Sequence, residues 1–157
     1  MRQISYIPLL LLLFWALHFT SCIDAPEYPD EPNIANVGIS ANSFQVGDIN
    51  AQLVVSIEFE DGDGDLGKIN DTSFGRLIKF DSRVPEVYDT IPIIENIEEN
   101  GAVDDISGTL FFTFFSTEFI CTQSNPTQDY HYTFQLKDRA GNISNEVATP
   151  NITLTCN

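Results

Sequence analysis

The sequence predicts an all-β protein, a Greek-key sandwich of about seven strands of the immunoglobulin or fibronectin type. From Ile34 onward, apolar and polar residues alternate with a period of two, as in strands that bury one face. Clusters of Gly, Asn and Asp interrupt this alternation at short intervals, as expected for turns between strands. The same region has no convincing stretch of helical spacing, so residues 34–157 are predicted to form one β-sandwich domain.

The two strands with the most regular alternation are predicted at 51–60 and 130–137. Leu53, Val55 and Ile57 fall on one face of the first, between polar neighbours. The second alternates aromatic or aliphatic residues with polar ones throughout. The remaining predicted strands are 34–40, 76–80, 87–94, 106–115 and 146–155.

The predicted strand 106–115 carries phenylalanine on both faces. Leu110, Phe112 and Phe114 fall on one side, and Phe111 and Phe115 fall on the other. The pattern therefore predicts a buried face and a second apolar face that is either covered or in contact with something.

The N-terminal residues 1–21 have the pattern of a signal peptide. Arg2 precedes a mostly apolar run over 7–19, and Phe19-Thr20-Ser21-Cys22 resembles a lipobox, with Phe19 in place of the usual Leu. Cys22 is therefore predicted to carry the lipid that binds the protein to a membrane. The alternative is an uncleaved membrane anchor, although the apolar run is shorter than the roughly 20 residues that a spanning helix needs.

Residues 22–33 are rich in proline and acidic side chains, which predicts an extended tether between the lipid and the domain. An acidic stretch just after the lipid-bearing cysteine resembles the surface-export signals of Bacteroidota lipoproteins. The resemblance implies a lipid-anchored outer-membrane protein, and it leaves open whether the domain faces the periplasm or the cell surface.

The charge of the chain restricts its partners and its chemistry. The formal net charge is −16, and a field of this sign repels nucleic acid. After the signal peptide the sequence has one histidine, His131, without a neighbouring Cys or His that would suggest zinc or a catalytic triad. No carboxylate pair is placed as glycosidases require, so the sequence predicts a non-catalytic protein.

Cys121 and Cys156 remain as a pair once Cys22 is assigned to lipid. In the predicted topology, the connection after strand 106–115 and the end of the last strand lie at the same pole of the sandwich. An exported protein occupies a compartment that permits disulfides, so a Cys121–Cys156 bridge is predicted. Two free thiols are the alternative.

An acidic loop follows the predicted strand 51–60. Asp61, Asp63 and Asp65 alternate with glycine, a spacing that lets several carboxylates converge on one hard cation such as calcium. The loop is not an EF-hand, because Leu66 occupies the position of its invariant glycine and Thr72 that of its bidentate glutamate.

A second polar loop, 137–145, follows the predicted strand 130–137 and lies at the same pole as the acidic loop in this topology. Asp138 and Asn142 are therefore the predicted distant ligands of one calcium site built on Asp61, Asp63 and Asp65. The alternative is that both loops are plain turns, with Asp and Asn making local hydrogen bonds. Arg139 would then neutralise part of the acidic cluster.

Both loops carry a recognisable pattern. The residues Phe59 to Gly67 read FEDGDGDLG, and Asp138 to Asn145 read DRAGNISN. In this order, with the lipobox before them, they resemble a family of small secreted Bacteroidota lipoproteins marked by FxDGDGDLG and DRAGNxSN. The resemblance implies an immunoglobulin-like fold and no settled activity.

Together these features predict a lipid-anchored, non-catalytic binding or structural module that calcium stabilises. One alternative is an accessory protein of an outer-membrane nutrient or polysaccharide uptake system. Its protein or glycan ligand would bind at the loops of the acidic pole or on Phe111 and Phe115. Another alternative is a small hydrolase or inhibitor, which would need a deep pocket lined by two close, perturbed carboxylates.

Overall fold

The computed structural model describes residues 27–68, 73–94 and 105–156, and the predicted signal peptide and Cys22 lie outside these ranges. The described residues form ten strands and one short 3₁₀ turn, Ser116–Glu118. The strands are β1 (Asn33–Ile39), β2 (Ser43–Gln45), β3 (Gln52–Asp61), β4 (Arg76–Asp81), β5 (Tyr88–Pro92), β6 (Ile106–Phe115), β7 (Thr127–Tyr130), β8 (Tyr132–Lys137), β9 (Val147–Ala148) and β10 (Ile152–Thr155).

The strands form the two layers of an immunoglobulin-like sandwich, which confirms the predicted fold class. One layer has the order β1-β3-β6, and the other has the order β5-β4-β8-β9. A third, small sheet, β2-β10-β7, continues the sandwich at one end. All neighbouring strands are antiparallel except β2 and β10, which are parallel.

The last two predicted strands, 130–137 and 146–155, are each divided between two sheets. The first divides at His131, so that β7 pairs with β10 and β8 pairs with β4. The second divides before Pro150, which lacks the N–H that a continuous ladder would need. The points at which the two strands divide are hydrogen-bonded to each other. The Tyr132 N–H donates to Thr149 Oγ1, and the Thr149 N–H donates to the Tyr132 carbonyl.

The hydrophobic core lies between the two layers, where the alternating patterns of β3 and β8 face each other. The inward residues of these strands are all at most 4% exposed: Leu53, Val55, Ile57, Phe59, Tyr132, Phe134 and Leu136. Phe114 of β6 bridges the layers, with its ring centroid 5.5 Å from that of Tyr132 and 6.3 Å from that of Phe134. These aromatic contacts stabilise the packing of the two layers beyond the effect of the apolar area that they bury.

A disulfide joins Cys121 and Cys156 as predicted, with their Cα atoms 6.1 Å apart. It ties the connection after β6 to the end of β10, and the Cys156 N–H also donates to the carbonyl of Pro126. The bridge therefore closes the pole of the sandwich at which β10 ends.

The opposite pole is acidic and is formed by three connections and the chain entering β1. Register shows which ends meet: Asn33 pairs with Glu60, and Asp61 pairs with Ile106. We use the term acidic pole for four parts of the chain: the loop after β3 (61–68), the loop after β8 (138–146), Asp105 and the entering segment 27–32. Every predicted metal ligand lies in this pole.

Candidate metal site at the acidic pole

Four carboxylates from two loops converge at the acidic pole. Asp61, Asp63, Asp65 and Asp138 each offer one oxygen, and these oxygens all lie within 4.8 Å of one another. Asp61 ends β3 in one layer, and Asp138 follows β8 in the other, so the cluster forms where the two layers meet. The structure thus brings together the four aspartates that the sequence predicted to share a site.

The loop backbone holds each carboxylate through one of its oxygens. Asp61 Oδ2 accepts from the Leu66 N–H at 3.1 Å, and Asp65 Oδ2 accepts from the Ala140 N–H at 2.8 Å. Asp138 Oδ1 accepts from the N–H groups of Gly141 and Asn142 at 2.6 and 2.8 Å. The Asp65–Ala140 bond joins the two loops, so main-chain groups of both loops contribute to the position of the carboxylates.

The second oxygen of three of these carboxylates has no partner. Asp61 Oδ1, Asp65 Oδ1 and Asp138 Oδ2 are buried and accept no hydrogen bond from any residue that the structure describes. Asp61 is fully buried and Asp138 is 4% exposed, so neither charge is solvated by bulk water. Buried polar atoms without a partner are costly, and a hard cation is the species that satisfies several carboxylate oxygens at once.

The pKa of Asp61 shows the electrostatic cost of the arrangement. Burial first, and then the negative charges of Asp63, Asp65 and Asp138, raise this pKa from 3.8 to about 7, although the Leu66 N–H acts in the opposite direction. Burial, Asp138 and Asp63 likewise raise the pKa of Asp65. The folded protein therefore resists full ionisation of this cluster unless positive charge is supplied.

Arg139 supplies only a small part of that charge. Its Nη1 donates to the carbonyl of Gly67 at 2.7 Å, which directs the guanidinium to the backbone of the acidic loop. It lowers the pKa of Asp65, but burial and the neighbouring carboxylates outweigh it. Neutralisation by Arg139, the alternative raised by the sequence, leaves the buried Asp61 oxygen without a partner.

Asn142 shapes the loop around Asp138 through its main chain. Its N–H donates to Asp138 Oδ1, and its carbonyl accepts from the Asp138 N–H at 3.2 Å. The left-handed φ of 103° at Gly141 allows this tight turn. These are the local turn bonds of the alternative interpretation, while a ligand role for the Asn142 side chain stays a prediction.

Sequence reasoning missed the part of the acidic pole that comes from the entering segment. Tyr28 and Pro29 lie against the acidic loop, and the Tyr28 N–H donates to Asp105 Oδ1 at 2.6 Å. Asp105 immediately precedes β6, which pairs with β3, so strand pairing alone would have placed it beside Asp61. Pro29 contacts the acidic loop through its main-chain carbonyl, and a main-chain contact of this kind cannot be recognised from the side chains of the sequence.

Two exposed phenylalanines lie on the outer face of β6, far from the cluster along the strand. Phe111 is 64% exposed and Phe115 is 59% exposed, while Phe112 and Phe114 are buried. Their neighbours on β3 are Ser56 and Gln52. The second apolar face predicted for this strand is therefore open among the described residues.

Comparison with known proteins finds a likeness of structure. The crystal structure of a Niemann-Pick type C2 protein from Japanese carpenter ant matches with 12% sequence identity and a TM-score of 0.44, over 85% of this chain and 97% of that one. No protein-family model matches the chain, and no curated protein matches its sequence. Within the described ranges, no helix is long and apolar enough to cross a membrane.

We expect the metal-free protein to lose stability as pH rises from 5 to 8. The pKa of Asp61 is about 7 in the folded chain against 3.8 as its ordinary value. The contribution of Asp61 to the free energy of unfolding is therefore fully present below pH 3.8 and is lost as pH rises through 7. Urea unfolding at several pH values with excess chelator measures this.

The Asp61→Asn variant is the matched comparison for this pH series. An amide does not titrate, so the fall in unfolding free energy should be smaller in the variant than in the parent. Identical pH profiles for the two proteins would contradict the assigned pKa shift of Asp61.

Proposed function

We propose that this protein is a lipid-anchored, non-catalytic module of the bacterial cell envelope whose acidic pole is held together by one bound calcium ion. The observation that carries the proposal is the set of three buried, unpartnered carboxylate oxygens on Asp61, Asp65 and Asp138. All three residues belong to the cluster of four aspartates, and backbone N–H groups hold the other oxygen of each.

Calcium suits the cluster better than other common metals. The donors are all carboxylate oxygens, which excludes the nitrogen and sulfur ligands that zinc and copper prefer. Calcium accepts flexible, irregular coordination by carboxylate and carbonyl oxygens, whereas magnesium demands near-ideal octahedral geometry. The four aspartates come from two loops, and their ligand oxygens lie within 4.8 Å of one another, an arrangement that suits the tolerance of calcium.

The burial of the cluster argues for a structural role of the metal. Asp61 has the raised pKa of a general acid, but it is fully buried and cannot reach a substrate. The shallow groove at this pole is lined by Glu27, Tyr28, Asp30, Gly62, Asp63 and Asp105. Since neither Asp61 nor Asp65 lines it, the two perturbed carboxylates do not form the catalytic pocket that the hydrolase alternative requires.

Anchoring follows from the lipobox-like sequence ending in Cys22. The chain enters the domain at the acidic pole, because Tyr28 and Pro29 contact the acidic loop. A lipid on Cys22 would therefore hold this pole toward the membrane and leave the disulfide pole directed away from it. Several acyl chains on one cysteine give far stronger membrane binding than a single chain.

We expect calcium to raise the thermal unfolding midpoint, and chelator to lower it. A ligand that binds only the folded state adds about 2.7 kcal/mol when its free concentration is about 100 times its Kd. In Asp61→Asn the calcium effect should disappear, while the midpoint in chelator at pH 8 should match or exceed that of the parent, because one repelling charge is gone.

Differential scanning calorimetry measures these midpoints. Glu58→Gln is the control, since it removes the same charge from an exposed position of the same strand. Equal midpoints with calcium and chelator in the parent protein would refute the calcium site.

We expect Cys22→Ser to release the protein from the membrane fraction. The substitution removes the thiol to which lipid is attached, so the chain should carry no acyl chains and should appear in the soluble fraction. Ser21→Ala is the control, because it keeps a small residue before the cysteine. Membrane fractionation and intact mass check this, and an unlipidated Cys22 in the parent would refute the anchor.

The second candidate function is capture of a neutral glycan on the outer face of β6. Phe111 and Phe115 lie four residues apart on one face, roughly 13 Å along the strand, with only uncharged side chains between them. In a chain of net charge −16, this uncharged strip favours a neutral occupant over an acidic one.

We expect the double variant Phe111→Ala/Phe115→Ala to lose binding to such glycans. Affinity electrophoresis against soluble neutral polysaccharides, starch and xyloglucan among them, tests this with Thr113→Ala as the control. Loss of stacking should weaken binding at least about tenfold, which corresponds to about 1.4 kcal/mol. If the parent binds none of these polysaccharides, the glycan candidate fails and the anchored module stands.

A further inference from the structure

The entering segment and Ile34, the second residue of β1, are hydrogen-bonded to the other parts of the acidic pole. The Gly62 N–H donates to the carbonyl of Pro29 at 2.8 Å, and the Tyr28 N–H donates to Asp105 Oδ1 at 2.6 Å. Asn145, in the loop after β8, both donates to and accepts from the backbone of Ile34, at 3.0 and 2.8 Å. Residues 28–34 thus connect to the two loops that supply the aspartates and to the residue before β6.

Gly62 is the centre of this docking and also lies between two aspartates of the cluster. Its N–H binds Pro29, and its carbonyl accepts from the Asp105 N–H at 2.8 Å. A Cβ at this position would lie 2.6 Å from the carbonyl oxygen of Pro29 and even closer to that of Tyr28. Only glycine permits the approach, so the conformation that positions Asp61 and Asp63 is also the one that receives the segment.

Asp105 adds a conformational requirement to the same contact. Its φ of 57° is left-handed, which is uncommon for a residue other than glycine although asparagine and aspartate tolerate it best. Its N–H and its carboxylate are both engaged, with Gly62 and Tyr28. Backbone in this region persists where surrounding contacts hold it, so Asp105 depends on the docked segment and on the acidic loop.

Negative charge on both sides makes the docking of the entering segment depend on whether the four aspartates hold a cation. The groove between the segment and the loop is lined by Glu27, Asp30, Asp63 and Asp105, and Asp63 also belongs to the cluster. Without a cation, like charges on both sides oppose the approach of the segment. With a cation bound, the carboxylates of the loop are drawn together and Gly62 is held where Pro29 meets it.

We propose that cation binding at the four aspartates and docking of residues 28–32 are coupled, so that the loaded site holds the segment leading to the membrane anchor and the empty site releases it. This inference rests on the calcium site of the proposed function. Coupling is reciprocal, so the docked segment must raise the affinity for calcium by the same factor as calcium favours docking.

The coupling would set how far the domain stands from the membrane. With the segment docked, five residues lie between Cys22 and Tyr28, and these six steps of the chain reach about 20 Å when fully extended. Release of residues 28–32 would add about 17 Å to this reach.

Hydrogen–deuterium exchange on the full-length chain in detergent, with calcium and with chelator, tests the coupling. We expect the amides of Tyr28 and Gly62 to exchange at least tenfold more slowly with calcium, while the amides of β10, which ends at the opposite pole, change much less. Calcium binding is measured separately by isothermal titration on the same sample.

Gly62→Ala tests the reverse direction, because it expels the segment and keeps all four carboxylates. Its calcium affinity should fall by roughly 5-fold to 150-fold, the usual range of coupling between two sites. Gly108→Ala is the control, since a Cβ there makes only an ordinary contact with Phe59. Should Gly62→Ala not fold, Tyr28→Pro removes the N–H donor to Asp105 without touching the loop, and the same loss of affinity is expected.

The outcomes separate this inference from the proposed function. If calcium binds and the exchange of residues 28–32 is the same in calcium and chelator, the coupling is refuted and the calcium site stands. Unchanged affinity in whichever of the two variants folds also refutes it. If titration detects no calcium binding to the parent, the site and the coupling fail together.

Discussion

The acidic pole is organised around one electrostatic constraint: four carboxylates are crowded together where the two layers of the sandwich meet. Asp61 closes a strand of one layer, and Asp138 opens the loop that leaves the other. Backbone N–H groups satisfy one oxygen of each of these two side chains, and the other oxygen is buried without a partner. A proton or a cation would relieve this crowding at a point where both layers and the entering segment meet.

The alternation of the sequence was sufficient to locate all seven predicted strands and to place both polar loops at one pole. The pattern could not show that the last two long strands divide, because the residues on either side of His131 continue the same alternation in different sheets. The short strand Ser43–Gln45 escaped detection because three residues are too few to show a period. The disulfide followed from topology, since both cysteines lie at the pole where β10 ends.

The candidate site was predicted in part, and the limit has a physical cause. Aspartates at alternate positions are visible in the sequence. The contacts that hold them are made by the main-chain N–H groups of Leu66 and Ala140, and the side chains of these residues do not indicate such contacts. The two interpretations of the loops, as turns and as a metal site, are compatible in the structure. Backbone N–H groups occupy one oxygen of Asp61, Asp65 and Asp138 and leave the other oxygen without a partner.

The direction of β6 has a consequence for how an anchored molecule would present its outer surface. The strand starts at the acidic pole, where Ile106 pairs with Asp61, and ends at Phe115, nine residues and about 30 Å farther along. If the chain is held at its N-terminus, Phe111 and Phe115 stand on the distal half of the domain. A partner caught there would meet the protein beyond the zone of densest negative charge, on the side that crowding by neighbouring lipids obstructs least.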